Sequence, residues 1–133
     1  MQEHIQNELA SFIANCDWEK IAPHFKEDAA YRVLDWIGCA GAGEHYPQVE
    51  IAQKYFIENG DQGNSTVIGH QTKCSPRTAA FLNGIAGHVC ELDDGHRTAI
   101  GHPGSIAVPT ALALGEHLNA SGADVLKAVI LGY

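Results

Sequence analysis

Half of the chain's eight histidines fall in one stretch, Gly69–Ser105: His70, His88, His96 and His102. The same stretch holds three carboxylates, Glu91, Asp93 and Asp94, and three fixed cations, Lys73, Arg77 and Arg97. Its densest part reads HVCELDDGHRTAIGHPGS, from His88 to Ser105. His96 and His102 change charge near neutral pH and so serve as acid or base there. Asp93 and Asp94, being adjacent, repel each other and favour a shared proton if both face a partly dry cleft. Arg97 is built to grip a carboxylate with two parallel hydrogen bonds. Pro103-Gly104-Ser105 leads into a helix, whose first N–H groups and dipole favour an anion. Together these groups suit the removal or delivery of a proton beside a carboxylate.

Each residue also has a plainer reading. Asp93-Asp94-Gly95 is a common turn sequence, His88 lies on a mostly apolar helix, and Arg97 alone reads as a surface cation. The density of charge between two apolar, small-residue segments argues for a cavity wall, because such a loop is costly unless it lines one. Two other functions fit parts of the pattern. His88, Asp93, Asp94, His96 and His102 are ligand types for Zn²⁺ or Mn²⁺ in a metal-dependent hydrolase, although their spacing matches no compact motif such as HExxH. A non-catalytic helical oligomerisation module would instead use the Gly- and Ala-rich helices for packing between copies.

The elements that must position this loop read as helices. Ile5, Leu9, Phe12 and Ile13 fall on one face of a helix over 3–15. Pro23 suits the first turn of the next, which carries Phe25, Ala29, Ala30, Val33, Leu34 and Ile37 to about Ala40, with Gly38, Gly41 and Gly43 ending it. A third helix spans Pro47 to Glu58, and Thr66-Val67-Ile68 is a very short strand. Ser75-Pro76 opens a helix to about Cys90; its Ala79, Ala80, Gly84, Ala86 and Gly87 allow another backbone to approach closely and mark it as central. A further helix covers Ser105–Leu118 with Pro109 near its first turn. The last opens at Ser121-x-x-Asp124, an acidic variant of the capping box. The ending AVILGY is apolar on most sides, as in a helix buried by later chain, so residues 1–133 are expected to be the front part of a longer protein.

Composition bounds the rest. A chain of 133 residues, 45% hydrophobic, supports one hydrophobic core. Its formal net charge of −8 excludes the basic balance that nucleic acid or an anionic membrane surface demands. The longest strongly apolar run, Ile106 to Leu114, is far shorter than the ~20 residues of a membrane span, and MQEHIQNELA has no signal-peptide character. A cytoplasmic location is expected, with Cys16, Cys39, Cys74 and Cys90 reduced.

The segment NGIAGHVCELDDGHRTAIGHPGSIAVPTALALGE, Asn83 to Glu116, resembles the signature of the MmgE/PrpD family of 2-methylcitrate dehydratases, cis-aconitate decarboxylases and iminodisuccinate epimerases. ELASFI, AYRVLDWIGCAGAG and STVIGHQTKCSPRTAAFLNG are similar to that family's N-terminal portion, in the same order. The resemblance implies an all-α fold: a helical bundle forming part of the large helical domain, with the rest and a smaller α+β domain supplied by later sequence. It implies a cofactor-independent enzyme, inactive as this chain alone, acting on small di- or tricarboxylates, and a homo-oligomer, a dimer. By position His102 is the leading catalytic candidate, with Asp93 and Asp94 beside it, while Glu91, His96, Arg97, His88 and Ser105 would bind substrate and no metal is required. Glu91 stands where some members have Asp, and Gly95 where some have a hydroxyl residue. The Asp94–His102 spacing is one residue longer than in the decarboxylase branch, which turns the expectation towards a dehydratase or an epimerase.

Overall fold

Ser75 accepts a hydrogen bond from the Thr78 N–H, and Pro76 takes the first helical position, where no amide is needed. That start directs the central helix. In the computed structural model, which describes residues 2–133 and their side chains from His4 onward, the helices are α1 (Gln2–Ala14), α2 (Pro23–Gly43), α3 (Pro47–Glu58), α4 (Pro76–His88), α5 (Gly104–Leu118) and α6 (Gly122–Gly132). A 3₁₀ turn at Trp18–Lys20 precedes α2. Two-residue strands, β1 (Ser65–Thr66) and β2 (Lys73–Cys74), pair antiparallel with Ser65 opposite Cys74. The architecture is all-α, as the helical periodicities require. Among the described residues no helix is long and apolar enough to cross a membrane.

α4 packs against both α2 and α5, and α6 closes over α2 and α5. Its small residues make this possible. A Cβ on Gly43 of α2 would strike the Ala86 carbonyl, and one on Gly87 would strike the Trp36 indole. Trp36, Ala40, Val49, Ala86, Val108 and Val129 form one buried cluster; Val67, Cys74, Ala79, Leu82 and Ala113 form the second. Asn83, buried in α4, donates through its amide nitrogen to the Thr66 carbonyl (2.9 Å) and accepts from the Ile68 N–H (2.8 Å). The single asparagine thereby fixes the irregular segment after β1 on the helix.

Several elements depart from the periodicity reading. α2 does not stop near Ala40 but continues through Gly38 and Gly41 to Gly43. Burial of Trp36, Cys39 and Ala40 outweighs the roughly 1 kcal/mol that each helical glycine costs. The short strand lies at Ser65–Thr66 rather than at Thr66–Ile68, and Lys73-Cys74 is its partner. α4 ends at His88, two residues short of Cys90. Pro109 is buried inside α5 rather than near its start. In α6 only Val129 is fully buried, with Leu126 and Ile130 part-buried, and Ser121 caps it as expected by accepting from the Asp124 N–H. The Ile5, Leu9, Phe12 and Ile13 face of α1 is exposed. All four cysteines are free.

Candidate functional site

His88 is the last residue of α4, and the chain reverses at once. The Glu91 N–H donates to the His88 carbonyl (2.8 Å), and Glu91 adopts a left-handed φ of 50°. This turn returns Asp93 beneath the His88 ring. A second closure follows, where the His96 N–H donates to the Gly101 carbonyl (2.8 Å) and Ile100 takes a φ of 51°. Residues 97–100 are extruded by it, and His102 comes back to Asp93 just before α5.

The result is a compact His–Asp–His cluster. His88 Nδ1 lies 3.1 Å from each carboxylate oxygen of Asp93, and His102 Nδ1 lies 3.4 Å from Oδ2. The two imidazoles pack edge to face, with ring centroids 4.7 Å apart. The Asp93 side chain is 1% exposed, against 45% for His88 and 39% for His102. Among the described residues, no lysine or arginine lies within ion-pair distance of Asp93. A buried carboxylate needs hydrogen bonds or a counter-charge, and the two imidazoles are what this site provides. The hydrogen bonds to His88 Nδ1 set the tautomer and orientation of that ring, whereas Nδ1 of His102 meets the carboxylate only as a 3.4 Å ionic contact.

Asp94 turns the other way. Its Oδ2 accepts from Arg32 Nη1 (3.2 Å) on α2, and its Oδ1 accepts from the Gly104 N–H (3.0 Å) at the start of α5. Arg32 is also bonded to Asp28 (2.6 Å), which holds the guanidinium above its ordinary value. The Tyr133 ring stacks on Arg32 at 4.6 Å. Burial, followed by its hydrogen bond to the Asp94 carboxylate, pushes the Tyr133 phenol up to about 12. Asp93 and Asp94 thus do not face one cleft; Asp93 meets the two histidines, and Asp94 meets Arg32 and the start of α5. The sequence reading passed over Arg32 and Tyr133. The available signal was a cation set on the buried stripe of α2, between Ala29 and Trp36.

The other candidates are placed less centrally. The Ser105 N–H (3.2 Å) and Oγ (2.8 Å) both donate to the His102 carbonyl, and Gly104 is committed to Asp94. These first donors of α5, expected to receive a substrate anion, are therefore already satisfied. His96 accepts from the Ala99 N–H through Nδ1 (3.0 Å) and is exposed. Glu91 and Arg97 are exposed, and Arg97 makes no ion pair among the described residues. Two concavities flank the loop. One, of about 380 Å³, is lined by Arg32, Asp94, His96, Pro103 and Tyr133; the other, an apolar groove of about 520 Å³ between α4 and α5, reaches His88 and Ser105. Of the five ligands weighed for a metal-dependent hydrolase, only His88, Asp93 and His102 converge, with donor atoms all within 4.8 Å of one another.

The family model described as the MmgE/PrpD N-terminal domain matches residues 7–133. The chain belongs to the MmgE/PrpD family. Among curated relatives, a cis-aconitate decarboxylase-like protein, oryM, of Aspergillus oryzae is 31% identical over 98% of this chain and 28% of its own length. The cis-aconitate decarboxylase of Homo sapiens is 33% identical over 75% of this chain and 22% of its own. The chain thus spans about a quarter of the length of these MmgE/PrpD relatives. Both names belong to the decarboxylase branch, from which the Asp94–His102 spacing had pointed away. Membership of the MmgE/PrpD family does not by itself choose among the family's reactions.

Proposed function

We propose that this chain supplies the proton-transfer half of an enzyme acting on a small di- or tricarboxylate, in a dehydration, decarboxylation or epimerisation that passes through proton transfer on a carbon beside a carboxylate. The observation that carries the reading is the buried Asp93 carboxylate against Nδ1 of His102. Asp93, 3.4 Å from Nδ1 in an ionic contact without a formed hydrogen bond, stabilises the imidazole once protonated, and Nε2 of His102 takes or returns the substrate proton. His88, on the same carboxylate and open to the groove, contacts substrate or relays the proton. Asp94 stays out of the chemistry, since Arg32 and Gly104 occupy it. The names of the two relatives support a carboxylate substrate and a lyase reaction.

The test is made in the full-length enzyme with a carboxylate substrate on which it turns over. His102→Ala is expected to reduce kcat by roughly two to four orders of magnitude, the usual scale of general acid–base catalysis. Asp93→Asn, which disturbs the tautomer but not the shape, should fall by about a hundredfold or more. Wild-type turnover in His102→Ala would remove the histidine from this role.

A further inference from the structure

We propose that His88, Asp93 and His102 also form a binding site for a divalent transition-metal ion of the Zn²⁺ class. For an ion about 2.1 Å from each donor, neighbouring donors lie about 3.0 Å apart at right angles and about 3.4 Å apart at the tetrahedral angle. Here Nδ1 of His88 is 3.1 Å from the Asp93 oxygens and Nδ1 of His102 is 3.4 Å from Oδ2. Both histidines thus stand at coordination spacing from the shared carboxylate, and the donor atoms of all three residues lie within 4.8 Å of one another, so that a small ring rotation closes the set on one ion.

The electrostatics agree with the distances. Nδ1 of His102 is buried and makes no hydrogen bond of good geometry, and among the described residues no lysine or arginine pairs with the buried Asp93 carboxyl. A divalent ion would engage that nitrogen and neutralise that carboxylate together. Two imidazoles with one carboxylate select the Zn²⁺ class over Mg²⁺, which prefers oxygen donors.

Occupancy has a chemical consequence. A neutral imidazole coordinated through Nδ1 carries its proton on Nε2 and has no lone pair left to accept another. The bound ion therefore silences His102 as a base and acts as an inhibitor; this consequence, unlike the binding itself, rests on the proton-transfer reading.

Calorimetric titration of Zn²⁺ into the chelator-treated chain tests the site. One ion per chain is expected, bound at least about tenfold more weakly by H88Q and by D93N and unchanged by H96A. Circular dichroism of each variant separates lost ligands from lost fold; His88 is half-exposed, so H88Q remains informative if D93N unfolds. No binding, or equal affinity in wild type and H88Q, overturns the site. So does a thiolate charge-transfer band with Co²⁺, which would place the ion on the cysteines. Calorimetry reports the ion alone, and turnover of His102→Ala reports the base alone, so either proposal can fail without the other.

Discussion

Arg32 and Asp94 stand 62 positions apart in sequence, yet Nη1 of the arginine lies 3.2 Å from Oδ2 of the aspartate. The pair ties the middle of α2 to the loop that carries Asp93, and the second oxygen of Asp94 holds the first amide of α5. His102 sits between those two attachments. The aspartate does for the start of α5 what an external anion does at other helix starts, which is why the adjacent carboxylates have separate duties.

Breaking that tie should loosen the whole site. Asp94→Ala leaves the Gly104 N–H without its acceptor and removes one of two anions from a half-buried guanidinium. A loss of roughly 1–3 kcal/mol is expected in urea unfolding. Arg32→Ala combined with Asp94→Ala should show a coupling of at least about 0.5 kcal/mol in a double-mutant cycle. Strict additivity would mean that the two side chains do not act together.

The close approach of α4 to α2 sets a second expectation. Gly87→Ala pushes a methyl group into the Trp36 indole, which is fully buried and has nowhere to retreat. Overpacking of this kind costs roughly 1–3 kcal/mol, although alanine is the better helix former. A thermal melt of the variant at or above the wild-type midpoint would contradict the packing described.

Acid should release the hairpin from α5. Burial opposes ionisation of Glu116, but hydrogen bonds from Lys73 and from the N–H and hydroxyl of Thr66 outweigh it and hold the carboxyl below its ordinary 4.5. Because the folded value is depressed, the stabilisation is complete above the unfolded value and is lost as pH falls through the folded one. The pair is partly exposed, which limits its worth to about 1 kcal/mol. Asp61, held low by side-chain bonds from Thr78 and Ser75, weakens the fold in acid in the same direction. The readout is therefore the difference between wild type and Glu116→Gln, expected to shrink as pH drops below about 4.5. A difference that is constant from pH 6 to pH 3 would exclude the carboxylate as its source.

Local chemistry was enough to read the helices and to find where chemistry is concentrated. Apolar spacing marked α1 to α6, Ser75-Pro76 and Ser121 marked two helix starts, and the small residues of α4 marked it as the central helix. The same reading fell short where long-range contact outweighs propensity. α2 runs through Gly38 and Gly41 because Trp36, Cys39 and Ala40 are buried by other helices, and Lys73-Cys74 becomes a strand only because Ser65-Thr66 lies beside it.

The site divides along the same line. Residue type alone placed His88, Asp93, Asp94, His96 and His102 in one chemically dense stretch, since the number of titratable groups per residue is a property of the string. Which of them meet depends on two left-handed turns, at Glu91 and Ile100, and on a cation from α2. A partner 62 residues away leaves no periodic trace in the chain, so the separation of Asp93 from Asp94, and the pairing of Asp93 with two histidines, arise only when the helices pack.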